Sequence, residues 1–193
     1  MIPAPTTLHP VILPVPRSEQ DLKGRDKVHA LSRRARLALA RSCRLSGLRL
    51  DALPKNDRGA PLPVDGVYWS LSHKSDVVGG VAAPLPIGLD LETVRPVSEA
   101  LMAKIADRVE WRLTEESRLP LFFRFWTAKE AVLKAVGAGI AGLSRCRIRE
   151  VVDAHRMILT FDDHPWPVAH TAFGPHLAAV TVHHLDVHWS VDH

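Results

Sequence analysis

Residues Trp126 to Gly139, WTAKEAVLKAVGAG, constrain the fold more than any other stretch of the chain. Ala128, Ala131, Val132, Leu133, Ala135 and Val136 supply apolar, helix-favouring content. Gly137 and Gly139 can stop the helix in a left-handed cap. Glu130 and Lys134 are four apart and lie one above the other on one face. In isolation that pair is a surface ion pair worth ~0.3–0.5 kcal/mol. Lys129, one step round the helix, is expected to point into solvent.

The organisation around this helix is mixed. Leu8 to Val15 is apolar and interrupted by proline, which predicts an edge strand. Ser18 can cap the next helix, and residues 26–46 read as helical with Leu31, Ala35, Ala38, Ser42 and Leu45 on one face. Arg33, Arg36, Arg41 and Arg44 fall largely off that face, and Gly47 fits the stop. Residues 51–66 are rich in Pro, Gly, Asn and Asp and read as a loop. Strands are predicted at 67–71, 77–83 and 87–91, with a turn at Lys74, Ser75 and Asp76. Helices come next at 98–109 and, briefly, 114–119. After Gly142 the pattern turns to strands at 145–152, 157–161, 177–182 and 187–191. This order predicts an α+β protein in two similar α/β halves, 1–85 and 86–193, with the site at their junction.

Composition narrows the partners. A net charge of +4 and an isoelectric point near 9.4 favour an acidic partner: a phosphate-bearing ligand, an acidic protein or nucleic acid. Basic and aromatic residues are not interleaved and there is one tyrosine, so no specific nucleic-acid platform is expected. Cys43 and Cys146 have no metal-ligand spacing and read as buried thiols in a reducing compartment. Pro3, Pro5, Pro10, Pro14 and Pro16 break the N-terminal stretch, which lacks a signal-peptide pattern. No run approaches the ~20 apolar residues that span a bilayer. The expectation is a cytoplasmic monomer.

The residues with chemistry lie close to the helix in the pattern. Asp90 and Glu92 are two apart on a predicted strand, so both carboxylates project from one face while Leu89 and Leu91 face the core. Two such acids repel unless a cation sits between them, and Mg²⁺ suits a site with few carboxylates plus substrate phosphates. On its own the pair also fits a solvated strand end. Ser72 and His73 end another strand, where the imidazole can meet a phosphate or merely cap a turn. His183, His184 and His188 are scattered by strand alternation over both faces and are read as structural or exposed.

In order, the pieces are G-x-P (Gly59, Pro61), S-L-S-H (70–73), I-G-L-D-L-E (87–92) and W-T-A-K-E-A-x-x-K-A-x-G (126–137). This combination resembles the 4′-phosphopantetheinyl transferase family over residues 59–139, and its single-chain branch by length. The resemblance implies transfer of the phosphopantetheine arm of coenzyme A to a serine of an acidic apo carrier protein, with Mg²⁺ as cofactor. It implies Asp90 and Glu92 as metal carboxylates, Glu130 as the third of them or as the base, and Lys134 near the phosphates. It further implies Ser72 and His73 as coenzyme A contacts, and Glu110, eighteen residues past Glu92, as a further acid. Arg25, Lys27, Arg33 and Arg34 are candidates for the coenzyme A 3′-phosphate. The family's cation between Gly and Pro is Ala60 here, and Arg58 is the candidate to replace it. A non-catalytic module holding coenzyme A or a carrier, or a weak nucleic-acid binder, are the alternatives.

Overall fold

The computed structural model describes residues 6–192; Pro3 and Pro5 lie outside them. The fold is α+β. Strands β1 (Thr7–Leu8) and β2 (Val11–Pro14) lead through a short helix α1 (Arg17–Gln20) to the long helix α2 (Gly24–Leu45). Strands β3 (Tyr68–His73), β4 (Val77–Ala83) and β5 (Leu89–Thr93) follow, then α3 (Glu99–Ile105), a 3₁₀ turn at Glu110–Arg112 and helix α4 (Arg118–Val136). A second 3₁₀ segment, Ile140–Arg145, opens β6 (Cys146–Val151), β7 (Arg156–Phe161), β8 (His164–Phe173) and β9 (His176–Thr181). Two short strands, β10 (Asp186–Val187) and β11 (Ser190–Val191), complete the described residues. They form a four-stranded sheet β11-β2-β4-β3, a five-stranded sheet β5-β9-β8-β7-β6 and a β1-β10 pair.

Each large sheet carries one long helix. Helix α2 buries Leu31, Ala35, Ala38, Leu39, Ser42 and Cys43, while Leu45 is exposed. All seven residues of β4 are buried. The sequence there, VVGGVAA, is small because a Cβ on Gly80 would lie 2.5 Å from the Leu39 amide nitrogen of α2. Helix α4 buries eleven side chains, including Phe122, Phe125, Ala128 and Leu133, in a cluster with Leu159 of β7 and Ala179 of β9. It crosses the second sheet so closely that a Cβ on Gly88 would sit 1.8 Å from the Ala131 carbonyl oxygen. No described helix is long and apolar enough to cross a membrane. Cys43 and Cys146 are free and buried.

Several expectations change. Strand β2 is not an edge: β11 pairs with it in parallel on the side away from β4. The predicted 187–191 strand is split into two pieces for this purpose, pairing with β1 and β2. Ser18 does not cap; it lies inside α1, and α2 starts after Lys23 with no side-chain cap. The predicted 98–109 helix stops at Ile105, because the Asp107 carboxylate takes the Val109 and Glu110 amides. There is no separate 114–119 helix: α4 begins at Arg118, with Pro120 in its first turn, where the missing N–H is not needed.

Strand β8 was not read from the sequence, since Pro165 and Pro167 argue against an interior strand. Here β7 pairs with residues 164–169 and β9 with 168–173, so both prolines lie where only β7 is paired through the ladder. The Pro167 carbonyl accepts from Val182 N, on the side away from β7, so the absent proline N–H breaks no bond of the β7 ladder.

His170 of β8 is buried, with Nε2 3.1 Å from the Arg124 carbonyl, and burial pushes its imidazole from the ordinary 6.5 down to about 3. The unfolded chain takes up this proton near 6.5 and the native state does not. Stability should therefore be present above that pH and be lost as pH falls towards 3. His170→Leu is expected to flatten this part of a pH–stability curve measured by urea unfolding. Gly88→Ala is expected to destabilise by at least ~1–3 kcal/mol through overpacking against α4, read from the same transitions.

Candidate active site

The two sheets meet where β3 runs beside β5, and side chains replace the missing backbone ladder. Ser70 Oγ accepts from Leu89 N at 3.0 Å and Ser72 Oγ accepts from Leu91 N at 3.1 Å. This accounts for serine at period two in S-L-S-H. Strand alternation then buries Leu89 and Leu91 completely and turns Asp90 and Glu92 to the opposite face. Helix α4 presents Trp126, Glu130 and Lys134 at intervals of four to that face, and ends at Gly137 in the left-handed conformation.

Lys134 Nζ lies 2.8 Å from Asp90 Oδ1, 3.0 Å from the Leu89 carbonyl and 3.2 Å from Ser72 Oγ. Ser72 donates to Asp90 Oδ1 at 3.1 Å. Its one donor and both acceptor sites are thus taken within the protein, so it positions Asp90 and has no hydrogen bond left for a coenzyme. Glu92 Oε1 accepts from Lys74 Nζ at 2.7 Å and from Trp126 Nε1 at 2.8 Å. Glu130 is half-buried between these groups. Burial and the neighbouring Asp90 charge, with a further contribution from Glu92, raise its carboxyl above the usual range despite Lys134. His73, at the end of β3, is pushed down by burial and by Lys134, Lys74 and Lys55.

Two cavities flank this cluster. One, of about 420 Å³, is walled by His73, Lys74, Asp90, Glu92 and Trp126; the other, of about 340 Å³, by Lys55, Arg58, Gly59, Ala60 and Gly137. Glu130 and Lys134 line both and stand at the divide. Arg58 therefore reaches the cavity wall, as does Lys55, which sequence reading did not single out. The other basic candidates are elsewhere. Arg25, Lys27 and Arg33 lie on α2, line neither cavity, and two are engaged locally: Lys27 with the Gln20 carbonyl and Arg33 with Glu19. Arg34 bonds the Pro14 carbonyl.

Lys129 corrects the solvent expectation. It is 2% exposed, with Nζ 2.7 Å from both Glu110 Oε1 and the Ile105 carbonyl. Glu110 Oε1 also accepts from Ile148 N at 2.7 Å, and Oε2 from Asp107 N at 2.9 Å. Glu110 is therefore not at the cavities; it ties α4 to the turn after α3 and to β6. The spacing between Glu110 and Lys129 carried no local signal, because the contact is made through the tertiary fold. Lys74 and Trp126 were likewise missed as partners of Glu92, and only the run Ser72-His73-Lys74 beside an acidic strand pointed to the former.

The carboxylates fit a hard cation by donor type. Asp90 Oδ2 is buried and has no hydrogen-bond partner, and Asp90 and Glu92 both raise the proton affinity of Glu130, as carboxylates converging on one place do. As the side chains stand, no group of three or more His, Cys, Asp or Glu residues close enough to hold a metal occurs among the described residues, and Lys74 and Lys134 hold the facing oxygens of Glu92 and Asp90.

Residues 86–181 match the 4′-phosphopantetheinyl transferase superfamily, and the chain belongs to it. It is 38% identical over 103 residues to the 4′-phosphopantetheinyl transferase HetI of Nostoc, 47% of this chain and 44% of that protein. It is 32% identical over 109 residues to the 4′-phosphopantetheinyl transferase psf-1 of Bacillus pumilus, 54% and 46% respectively. With a putative 4′-phosphopantetheinyl transferase of Synechocystis it shares 33% over 145 residues, 65% of this chain and 56% of the other. The chain thus spans about half the length of the curated relatives it matches.

Lys129→Met leaves Glu110 buried without its cation and is expected to cost ~3–5 kcal/mol. Lys129→Met combined with Glu110→Gln, which keeps an acceptor for Ile148 N, should recover part of that loss in chemical unfolding.

Proposed function

We propose that this protein transfers the 4′-phosphopantetheine arm of coenzyme A to a serine of an apo carrier protein. The observation that supports it is the convergence of Asp90, Glu92, Glu130 and Lys134 on one cavity, with Glu130 and Lys134 also lining the adjoining one, in a chain of this superfamily. Asp90, Glu92 and Glu130 would hold Mg²⁺, which when bound would neutralise the pyrophosphate and polarise its phosphorus.

The chain's own residues divide the remaining work. The Lys134 ammonium, fixed by three oxygens, places a positive charge where phosphate oxygens gain negative charge. The serine oxygen attacks the β-phosphorus, its bond to the bridging oxygen breaks, and 3′,5′-ADP leaves. Glu130, with its proton affinity raised by burial and by Asp90, is placed to take the serine proton. Lys55 and Arg58, on the wall of the 340 Å³ cavity, supply the positive charge that Ala60 lacks. Trp126 holds Glu92, and His73 borders the same space from β3. The partner is an acidic carrier, steered by the net charge of +4. Two buried free thiols suit the reducing cytoplasm.

The decisive experiment is mass spectrometry of several apo carrier proteins after incubation with the protein, coenzyme A and Mg²⁺. A phosphopantetheine mass gain on serine is expected, and no gain on any carrier would overturn the reading. Transfer should vanish in chelator and in Asp90→Ala, and should fall by a large factor in Glu130→Gln with the fold intact. Arg58→Ala is expected to weaken coenzyme A binding by about ten- to a hundredfold in calorimetry, the range for losing a charge-assisted hydrogen bond. Unchanged binding in both Arg58→Ala and Lys55→Ala would remove that loop from the site.

A further inference from the structure

Lys74 lies on the turn between β3 and β4 and lines one cavity with Asp90, Glu92 and Glu130. The turn is fastened without help from the Lys74 side chain. Lys74 N donates to the Val77 carbonyl and Val15 N to the Asp76 carbonyl, both at 2.8 Å. Asp76 Oδ2 is 3.1 Å from Nε2 of His176 on β9, and Nδ1 of the same ring is 3.1 Å from Oγ1 of Thr93, which follows Glu92 on β5. The turn that carries Lys74 and the strand that carries Glu92 are therefore tied together through His176. Movement at Lys74 is thereby confined to its flexible four-carbon stem and the ammonium at its end.

The two lysines at the carboxylates are held unequally. Lys134 Nζ has three oxygen acceptors, one for each of its N–H groups. Lys74 Nζ has one among the described residues, Glu92 Oε1 at 2.7 Å. Its side chain is 31% accessible, so two of its N–H groups remain for partners from outside the protein. Glu92 Oε1 also has Trp126 Nε1 as a donor. The Lys74 charge reaches further: burial, Asp90 and Glu92 raise the Glu130 carboxyl, and Lys134 and Lys74 oppose them. A divalent ion drawn to Asp90, Glu92 and Glu130 meets Lys74 as a rival for the same oxygens. An ammonium and a metal ion on one carboxylate repel each other, so one must leave. Lys74, with one contact against three for Lys134, is the lysine that yields. A phosphate oxygen in the same cavity offers its ammonium a charged acceptor in exchange.

We propose that Lys74 makes a divalent ion and a phosphate-bearing ligand bind to this site cooperatively. On its own, the ion has to break the Lys74–Glu92 pair. With the ligand present, the ammonium passes to a phosphate oxygen and Glu92 is released to the ion. The effect is reciprocal, so the ion tightens the ligand by the same factor. The coupling rests on the reading of Asp90, Glu92 and Glu130 as metal ligands and is tested by binding rather than by transfer.

The probe is Mn²⁺, titrated into the whole protein with and without coenzyme A and followed by the paramagnetic resonance signal of the free ion. Without coenzyme A, Lys74→Met is expected to bind Mn²⁺ about ten- to a hundredfold more tightly than the parent, the range for one hydrogen bond to a charged group. A gain of affinity is not what loosening of the fold produces. Lys74→Arg, which keeps the charge, should bind as the parent does. The factor by which coenzyme A tightens Mn²⁺ should shrink in Lys74→Met by as much as the affinity without it rose. Asp90→Ala added to Lys74→Met should abolish the tight binding. Binding that survives Asp90→Ala, or no Mn²⁺ bound by Lys74→Met, would overturn the metal reading and the coupling together. Three results would overturn the coupling alone: Asp90-dependent binding no tighter in Lys74→Met than in the parent, equally tight binding in Lys74→Arg and Lys74→Met, or a coenzyme A effect of the same size in the parent and Lys74→Met.

Discussion

The hydroxyl of Ser72 accepts from the Leu91 amide and from Lys134 and donates to Asp90. Three elements therefore share one oxygen: strand β3 of the first sheet, strand β5 of the second and helix α4. Without it the two sheets would face each other through an unpaired strand edge, with β5 amides left unsatisfied in a buried seam. The same contact fixes where Asp90 points and how far Lys134 extends. Fold and site thus depend on one polar seam rather than on separate features, and Ser70 repeats half of it two residues earlier.

Electrostatics explains the rest of the seam. Asp90, Glu92 and Glu130 would repel one another in a low-dielectric cleft. Lys134 and Lys74 each neutralise one acid, Trp126 donates a further hydrogen bond, and burial, together with the Asp90 charge, raises the proton affinity of Glu130. The helix that carries Glu130 is in turn held from the opposite side by the buried Lys129–Glu110 pair. Adjacent residues of one helix, Lys129 and Glu130, thus face two different acidic environments, one closed and one open to a cavity.

Much of this is legible in the sequence. Periodicity placed α2 and the face of Asp90 and Glu92 correctly, because each depends on local spacing and a single buried side, while β4, buried on both faces, was legible as a short apolar run between turns. Glu130 and Lys134 reach the cavities as their four-residue spacing required. What was not legible depends on tertiary partners. Lys129 looked like any solvent-facing lysine, since only the distant Glu110 gives it a reason to be buried. Strand β8 was hidden by two prolines that are harmless only because β9 pairs past them. Arg25, Lys27 and Arg33 were grouped by charge, but charge on an exposed helix says nothing about which way a cavity opens.

The four-stranded sheet takes β2, β3 and β4 from the first half of the chain and one outer strand, β11, from the last described residues, paired in parallel with β2. Val11 and Ser190 are partners across nearly the whole sequence. During synthesis β2, β3 and β4 can emerge and pair early, yet one side of β2 stays open until the segment after β9 has left the ribosome. That exposed strand, Val-Ile-Leu-Pro, is apolar and edge-like in the interval. A topology that closes over so long a loop folds slowly. The nascent chain therefore has a window in which it is most open to mispairing and to chaperone capture.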